Sequence, residues 1–140
     1  MDTPAGWSVL IVVTGDRHWT DAARIRAVLS DLVKEFGRIA VAHGGARGAD
    51  TLAGEAALQL GQSVLRFLPD WGLYGGAAGP IRNRLMLEQR PALVVAFHDH
   101  LRGGSRGAKD CVLEAERRGI PVRIFTTTAG PFFAFQDAPE

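Results

Sequence analysis

The chain has 140 residues, enough for one domain with a proper core, and its 46% hydrophobic and 22% charged content suits a soluble globular protein. A formal net charge of +1 gives no reason in bulk electrostatics to expect strong nonspecific binding to nucleic acid or membrane. A lone Cys111 excludes an internal disulfide. No apolar run is long enough to span a bilayer, and Met1-Asp2-Thr3-Pro4 lacks the basic and apolar regions of a signal peptide. A cytoplasmic protein is the expectation. Fourteen arginines stand against two lysines, a bias that suits coding preference or bidentate phosphate contacts.

Ser8–Thr14 (SVLIVVT) is a short β-branched run stopped by Gly15, which predicts a strand buried on both faces and central in a parallel sheet. Asp21–Phe36 carries Ile25, Val28, Leu29, Leu32 and Val33 at helical spacing and ends at Gly37. Ile39–Ala42 predicts the second strand. Asp50–Leu60 predicts a helix with Leu52, Ala53, Ala56, Ala57 and Leu60 on one face, closed by Gly61. Ser63–Leu68 is the third strand, and Pro69–Gly76 reads as a loop rich in glycine and aromatics. A helix from near Pro80 to about Gln89 follows, because proline is favoured at a first helical position and Pro91 marks the break. Ala92–Phe97 is the fourth strand, Gly107–Arg118 a helix with Gly119 at its C-cap, and Pro121–Phe125 a fifth strand. Cys111 sits on that last helix beside Val112 and Leu113 and reads as a small core residue. This alternation predicts an α/β sandwich around a parallel sheet, a single domain over 1–140 with its core at about 8–125. In the tail, 126–140, Phe132, Phe133 and Phe135 are too apolar for water and cover either the domain or a partner subunit.

Three glycine-rich turns follow predicted strands: Thr14-Gly15-Asp16-Arg17, Gly44-Gly45-Ala46-Arg47-Gly48-Ala49-Asp50 and Gly103-Gly104-Ser105-Arg106-Gly107-Ala108-Lys109-Asp110. All fall at the carboxyl edge of the sheet, where open α/β folds bind ligands. Glycine lets backbone approach a ligand, helix N-termini offer free N–H groups, and each turn carries an arginine. The expected phosphate or nucleotide contacts are Gly15, Asp16, Arg17, Gly44, Gly45, Arg47, Gly48, Gly103, Gly104, Ser105, Arg106 and Gly107. Asp50 is placed to cap its helix, or to contact ligand. Arg82 and Arg84 diverge by about 100° per residue, so one can face the ligand edge while the other meets solvent. Asn83 supplies a neutral donor and acceptor for a ribose or base. Asp110, expected in the first turn of its helix, either answers the helix dipole or binds ribose hydroxyls and assists cleavage at the anomeric carbon. Trp19 either stacks on a base or packs on the nearby helix, and Trp71 and Tyr74 are candidates for a pocket wall. His98 and His100 flank Asp99 without a third spaced ligand, so neither a metal nor a cofactor is expected.

Together, VTGDRHWTD (Val13–Asp21), HGGARGADTLA (His43–Ala53), DWGLYGGAAGPIRNRLM (Asp70–Met86) and AFHDHLRGGSRGAKD (Ala96–Asp110) resemble the YspA/YpsA-like branch of the SLOG superfamily, across roughly Val9 to Phe125. The resemblance implies a Rossmann-like three-layer sandwich, with a mostly parallel sheet of about five or more strands, that binds nucleotides or their derivatives. It extends distantly to the LOG-type (lysine decarboxylase-like) phosphoribohydrolases, which cut the N-glycosidic bond of nucleoside monophosphates. Those enzymes pair an Arg of an RK-x-x-M helix with a Glu after a PGG-x-GT loop. By that pattern Arg82 and Met86 match the helix, and Asp110 stands where the Glu would be. The chain departs at Asn83 in place of Lys, in lacking Pro before Gly103, in Gly107-Ala108 in place of GT, and in the inserted Arg106.

The first expectation is therefore a binding domain for a nucleoside monophosphate or an ADP-ribose/NAD-related ligand, acting as sensor or sequestering protein. The alternative is a phosphoribohydrolase with Arg82 and Asp110 catalytic. A second alternative is a single-stranded nucleic-acid module, against which the near-zero charge and only eleven aromatic residues argue. A homodimer is expected by the resemblance, and no membrane partner.

Overall fold

The computed structural model describes residues 6–140, so the reading of Met1-Asp2-Thr3-Pro4 lies outside the described residues. The five apolar runs form strands β1 (Val9–Gly15), β2 (Ile39–His43), β3 (Ser63–Arg66), β4 (Leu93–Phe97) and β5 (Val122–Phe125). They pair in parallel throughout, in the order β3-β2-β1-β4-β5. The helices between them are α1 (Ala22–Phe36), α2 (Ala49–Gln59), α3 (Trp71–Tyr74), α4 (Ala78–Glu88) and α5 (Arg106–Arg117).

Successive strand residues face opposite sides of the sheet. Ile11, Val13, Val41 and Val95 meet Ile25, Leu29 and Ala53 of α1 and α2, whereas Val12, Ala42, Val94 and Ile124 meet Met86 of α4 and Cys111 and Val112 of α5. Both faces of the central strands are therefore dry, which explains why they are unbroken apolar runs. Each buried Val, Leu or Ile stabilises by about 1.5–3 kcal/mol, more than a typical loop hydrogen bond. The layered architecture is thus the expected α/β sandwich. Among the described residues, no helix is long and apolar enough to cross a membrane.

Three local readings need correction. The expected loop at Pro69–Gly76 contains α3 and a following 3-10 turn, Gly75–Ala77, because the Asp70 carboxylate accepts the Leu73 N–H (3.0 Å) and starts a helical turn. α4 begins two residues before Pro80, which sits in the first turn where a missing N–H costs nothing. β3 is shorter than expected, ending at Arg66, since an edge strand has one neighbour and Leu65 is already exposed. In the tail, Phe132 exchanges two 2.8 Å backbone bonds with Ile124, and Phe135 is buried against the α5 side of the core, while Phe133 stays exposed. The tail thus covers the chain's own β5 edge.

β1 leads to β2 on one side, and α4 brings the chain back to β4 on the other. The carboxyl ends of β1 and β4 are therefore where the connections part, the crevice at which such sheets bind ligands.

Candidate functional site

The first turn joins the others through backbone. The Asp16 N–H donates to the Phe97 carbonyl (2.9 Å), and the Asp16 carbonyl accepts the first N–H of α2 from Ala49 (3.0 Å) and that of Trp19 (3.1 Å). Gly48 (φ +73°) makes this contact possible, because a Cβ there would collide with the backbone of Asp16 and Arg17. The Asp16 carboxylate folds onto its own turn, accepting the His18 N–H at 2.9 Å. Gly15 sits at the floor beside Phe97, and Arg17 and Arg47 extend outward as exposed cations.

In the second turn the expected cap is not formed. Gly48 occupies the N-cap position of α2, and Asp50, already helical, turns its carboxylate back onto the loop. There Oδ2 accepts the N–H groups of Gly44 (2.9 Å) and Ala46 (3.3 Å), while His43 Nδ1 accepts that of Gly45 (3.0 Å). Three consecutive N–H groups are thus engaged by the chain itself. Burial raises the Asp50 carboxyl to about 6, against the opposing pull of the loop N–H groups and the Arg82 guanidinium. Burial likewise holds His43 below the ordinary histidine range, helped by Arg66 and Arg82.

α4 carries the centre of the site. Arg82 is half-buried and donates from Nη1 to the Gly44 carbonyl (2.8 Å) and from Nε to Asn83 Oδ1 (2.9 Å). Asn83 is buried and donates from Nδ2 to Asp110 Oδ2 (3.0 Å) and the Gly107 carbonyl (3.1 Å). Arg82, Asn83 and Asp110 therefore form one relay between the second and third turns. Both of Arg82's bonds go to neutral groups, and among the described residues no carboxylate lies within ion-pairing distance of it. Arg84, two residues on, points outward and approaches Glu114 at 4.0 Å.

The third turn opens α5 with Ser105 at the N-cap and Arg106 as first helical residue. Asp110 consequently lies in the second turn, not the first, and its carboxylate is held by Asn83 rather than by the helix dipole. Gly103, Gly104, Arg106 and Gly107 are exposed around the helix entrance.

Of the aromatic candidates, Trp19 is placed in the core. At 6% exposure, with its ring against Phe97 (centroids 5.6 Å) and its indole N–H on the Asp21 carbonyl (2.9 Å), it has no ring face to offer a base. Trp71 and Tyr74 are exposed on α3, and the Trp71 ring tip reaches over Gly79, one turn before Arg82. Two buried histidines hold the turns from beneath: His43, which sequence reasoning passed over, and His98, which it read only as a flank of Asp99. His43 was signalled by its place at the carboxyl end of β2 directly ahead of Gly44-Gly45, whereas His98 follows β4 and stands five residues before Gly103-Gly104. Asp99 turns away to Thr127, accepting its N–H at 2.7 Å.

Comparison with known proteins bears on the family and the fold. Residues 9–74 match the model of the YspA, cpYpsA-related SLOG family. The chain is similar to the Gene 61 protein of Mycobacterium phage D29, 35% identical over 121 residues that span 82% of this chain and 94% of that protein. Its fold is similar to the X-ray structure of DNA processing protein A (DprA) from Streptococcus pneumoniae, with a TM-score of 0.66 and 20% identity. That match covers 83% of this chain but spans only 50% of that one. On the family match, together with a relative 35% identical over most of both chains, the chain belongs to the YspA, cpYpsA-related SLOG family.

Proposed function

We propose that the domain binds a nucleotide or nucleotide derivative, a nucleoside monophosphate or an ADP-ribose/NAD-related ligand, at the carboxyl edge of the sheet. The observation that carries this reading is Arg82: a half-buried guanidinium with only neutral partners, set beside a ribose-reading pair. A half-buried guanidinium with no carboxylate in ion-pairing distance keeps part of its desolvation cost, and an anionic ligand offsets it. In this reading the phosphate lies between Arg82 and the α5 entrance at Gly103–Gly107, with Ser105 and Arg106 beside it. Asp110 and Asn83 meet the ribose, and Trp71 or Tyr74 stacks on the base. The N–H groups of Gly44, Gly45 and Ala46 are already engaged, so the second turn serves through Arg47 and through the carbonyl that orients Arg82.

The second reading is hydrolysis of the N-glycosidic bond, favoured because Asn83 links Arg82 to Asp110, the pair that the hydrolase resemblance joins. Asp110 would then stabilise the developing oxocarbenium ion. A single-stranded nucleic acid is the third, for which the fold shared with a DNA processing protein and the exposed Trp71 and Tyr74 speak. The protein is further proposed to act as a cytoplasmic homodimer.

Thermal unfolding against nucleoside monophosphates, NAD, ADP-ribose and short single-stranded DNA tests these readings. A ligand at about 100 times its Kd adds roughly 2.7 kcal/mol, a shift of several degrees. Arg82→Ala is expected to weaken the stabilising ligand roughly tenfold to a hundredfold, the size of a charge-assisted hydrogen bond. Base release from the bound ligand marks an enzyme. A panel on which nothing raises Tm overturns the nucleotide reading.

A further inference from the structure

The third turn is wrapped around an imidazole. His98 follows β4 directly, is 5% exposed, and donates its backbone N–H to the Phe125 carbonyl (3.0 Å). Its Nδ1 lies 2.9 Å from the His100 backbone N–H, and its Nε2 lies 2.8 Å from Ser105 Oγ. Gly104 passes so close that a Cβ would overlap the imidazole Cε1 and the His100 carbonyl. A buried histidine touching a serine oxygen looks like a base with its nucleophile, and the hydrogen bonds decide otherwise.

A backbone N–H can only donate, so Nδ1 must carry a lone pair toward His100. A neutral imidazole then bears its proton on Nε2, and that proton goes to Ser105 Oγ. The Ser105 backbone N–H also approaches Nε2, at the longer distance of 3.3 Å. It would need the opposite tautomer, which would set two donors against each other at Nδ1. Burial holds His98 below the ordinary histidine range, while Asp16 and Asp99 pull the other way and His100 assists the lowering. The neutral ring is therefore the form present at neutral pH.

A serine nucleophile requires a base to take its proton. Here the oxygen accepts a hydrogen bond from the imidazole Nε2–H, and its own O–H is left for a partner beyond the chain. We infer that His98 is a positioning residue that fixes Ser105 as a hydrogen-bond donor to an anionic ligand oxygen at the α5 entrance, and that Ser105 is not a nucleophile. The ligand half of this inference rests on the nucleotide reading, whereas the tautomer stands by itself.

Nitrogen NMR of the imidazole in the wild-type protein is expected to show the Nε2–H tautomer at neutral pH, and an Nδ1–H signal overturns the inference. Ser105→Ala is expected to weaken AMP about tenfold, with Ser105→Thr restoring most of the loss. His98→Gln, whose amide N–H replaces Nε2–H, should bind AMP nearly as the wild type does, and His98→Ala should lose as much as Ser105→Ala. Unchanged affinity in Ser105→Ala, while Arg82→Ala still weakens AMP, overturns the donor role and spares the nucleotide reading. Absence of AMP binding in the wild type overturns the donor role together with that reading for AMP, and the tautomer then decides the Ser105–His98 pairing alone. Labelling of Ser105 by a fluorophosphonate overturns its exclusion as a nucleophile.

Discussion

Asp50 is the residue whose ionisation most directly reports the state of the site. Its carboxyl is raised from an ordinary 3.8 to about 6 by burial. An acid with a raised folded pKa contributes stability that is complete below its ordinary value and is lost as pH rises through the folded one. His43 and His98, held low by burial, act in the opposite sense, losing stability as pH falls below the ordinary histidine value. The two effects overlap, so the useful quantity is a difference. The stability of the wild type relative to Asp50→Asn is expected to fall by up to about 3 kcal/mol between about pH 4 and about pH 7, measured by urea unfolding. A flat difference would falsify the assignment of the raised carboxyl to Asp50. The sequence put Asp50 at a helix start but not its role, because the groups it binds lie four and six residues back across a glycine turn.

At the scale of elements, the glycine turns divide into those that hold the loops together and those that leave room. Gly48→Ala forces a Cβ against the first turn at a left-handed backbone position, and a loss of at least about 1–2 kcal/mol is expected by thermal unfolding. Gly107 in α5 has nothing within 4 Å of a built Cβ. Gly107→Ala should therefore be neutral or stabilising by roughly 0.5–1 kcal/mol, as alanine is in a helix. If a phosphate approaches that backbone, the same substitution weakens nucleotide binding in a fully folded protein, a separation that titration calorimetry reads. The main elements were legible in sequence because runs such as Val9–Thr14 and Leu93–Phe97 are short and apolar, rich in β-branched residues, and bounded by turn signals, as a doubly covered strand is. α3 was not, since Gly72 and the aromatics beside it mask a turn that the Asp70 carboxylate starts. The Arg82–Asn83–Asp110 relay was legible only as separate residues, because the spacing of 27 between Asn83 and Asp110 is set by two helices packing side by side. Trp19 followed a glycine turn as a surface residue would, and only the packed structure places it over Phe97.

Across the whole molecule, charge is sorted rather than abundant. Arg84, Arg102, Arg117, Arg118 and Arg123 are each within 4.0 Å of a carboxylate. Arg17, Arg47, Arg66, Arg82 and Arg106 stand at the carboxyl edge, and among the described residues none has such a partner. The same edge carries the carboxylates of Asp16, Asp50, Asp99 and Asp110, so within a net charge of +1 these arginines stand as individual cations without ion-pair partners. This predicts how salt discriminates between the ligand classes. A mononucleotide touching Arg82 should lose affinity with a log–log slope near about −1, whereas a single strand crossing four of these arginines should show about −3. Fluorescence anisotropy over a salt series measures both.

The second turn also has a meaning in the language of competition. The Asp50 carboxylate is an anion tethered to its own receptor, so its effective concentration at the Gly44 and Ala46 N–H groups far exceeds that of any free ion. Sulfate, phosphate or a nucleotide tail arriving there meets a resident that never diffuses away. The glycine turn that most resembles a phosphate receptor thus has a carboxylate of its own chain on two of its N–H groups, and its Gly44 carbonyl holds the Arg82 guanidinium.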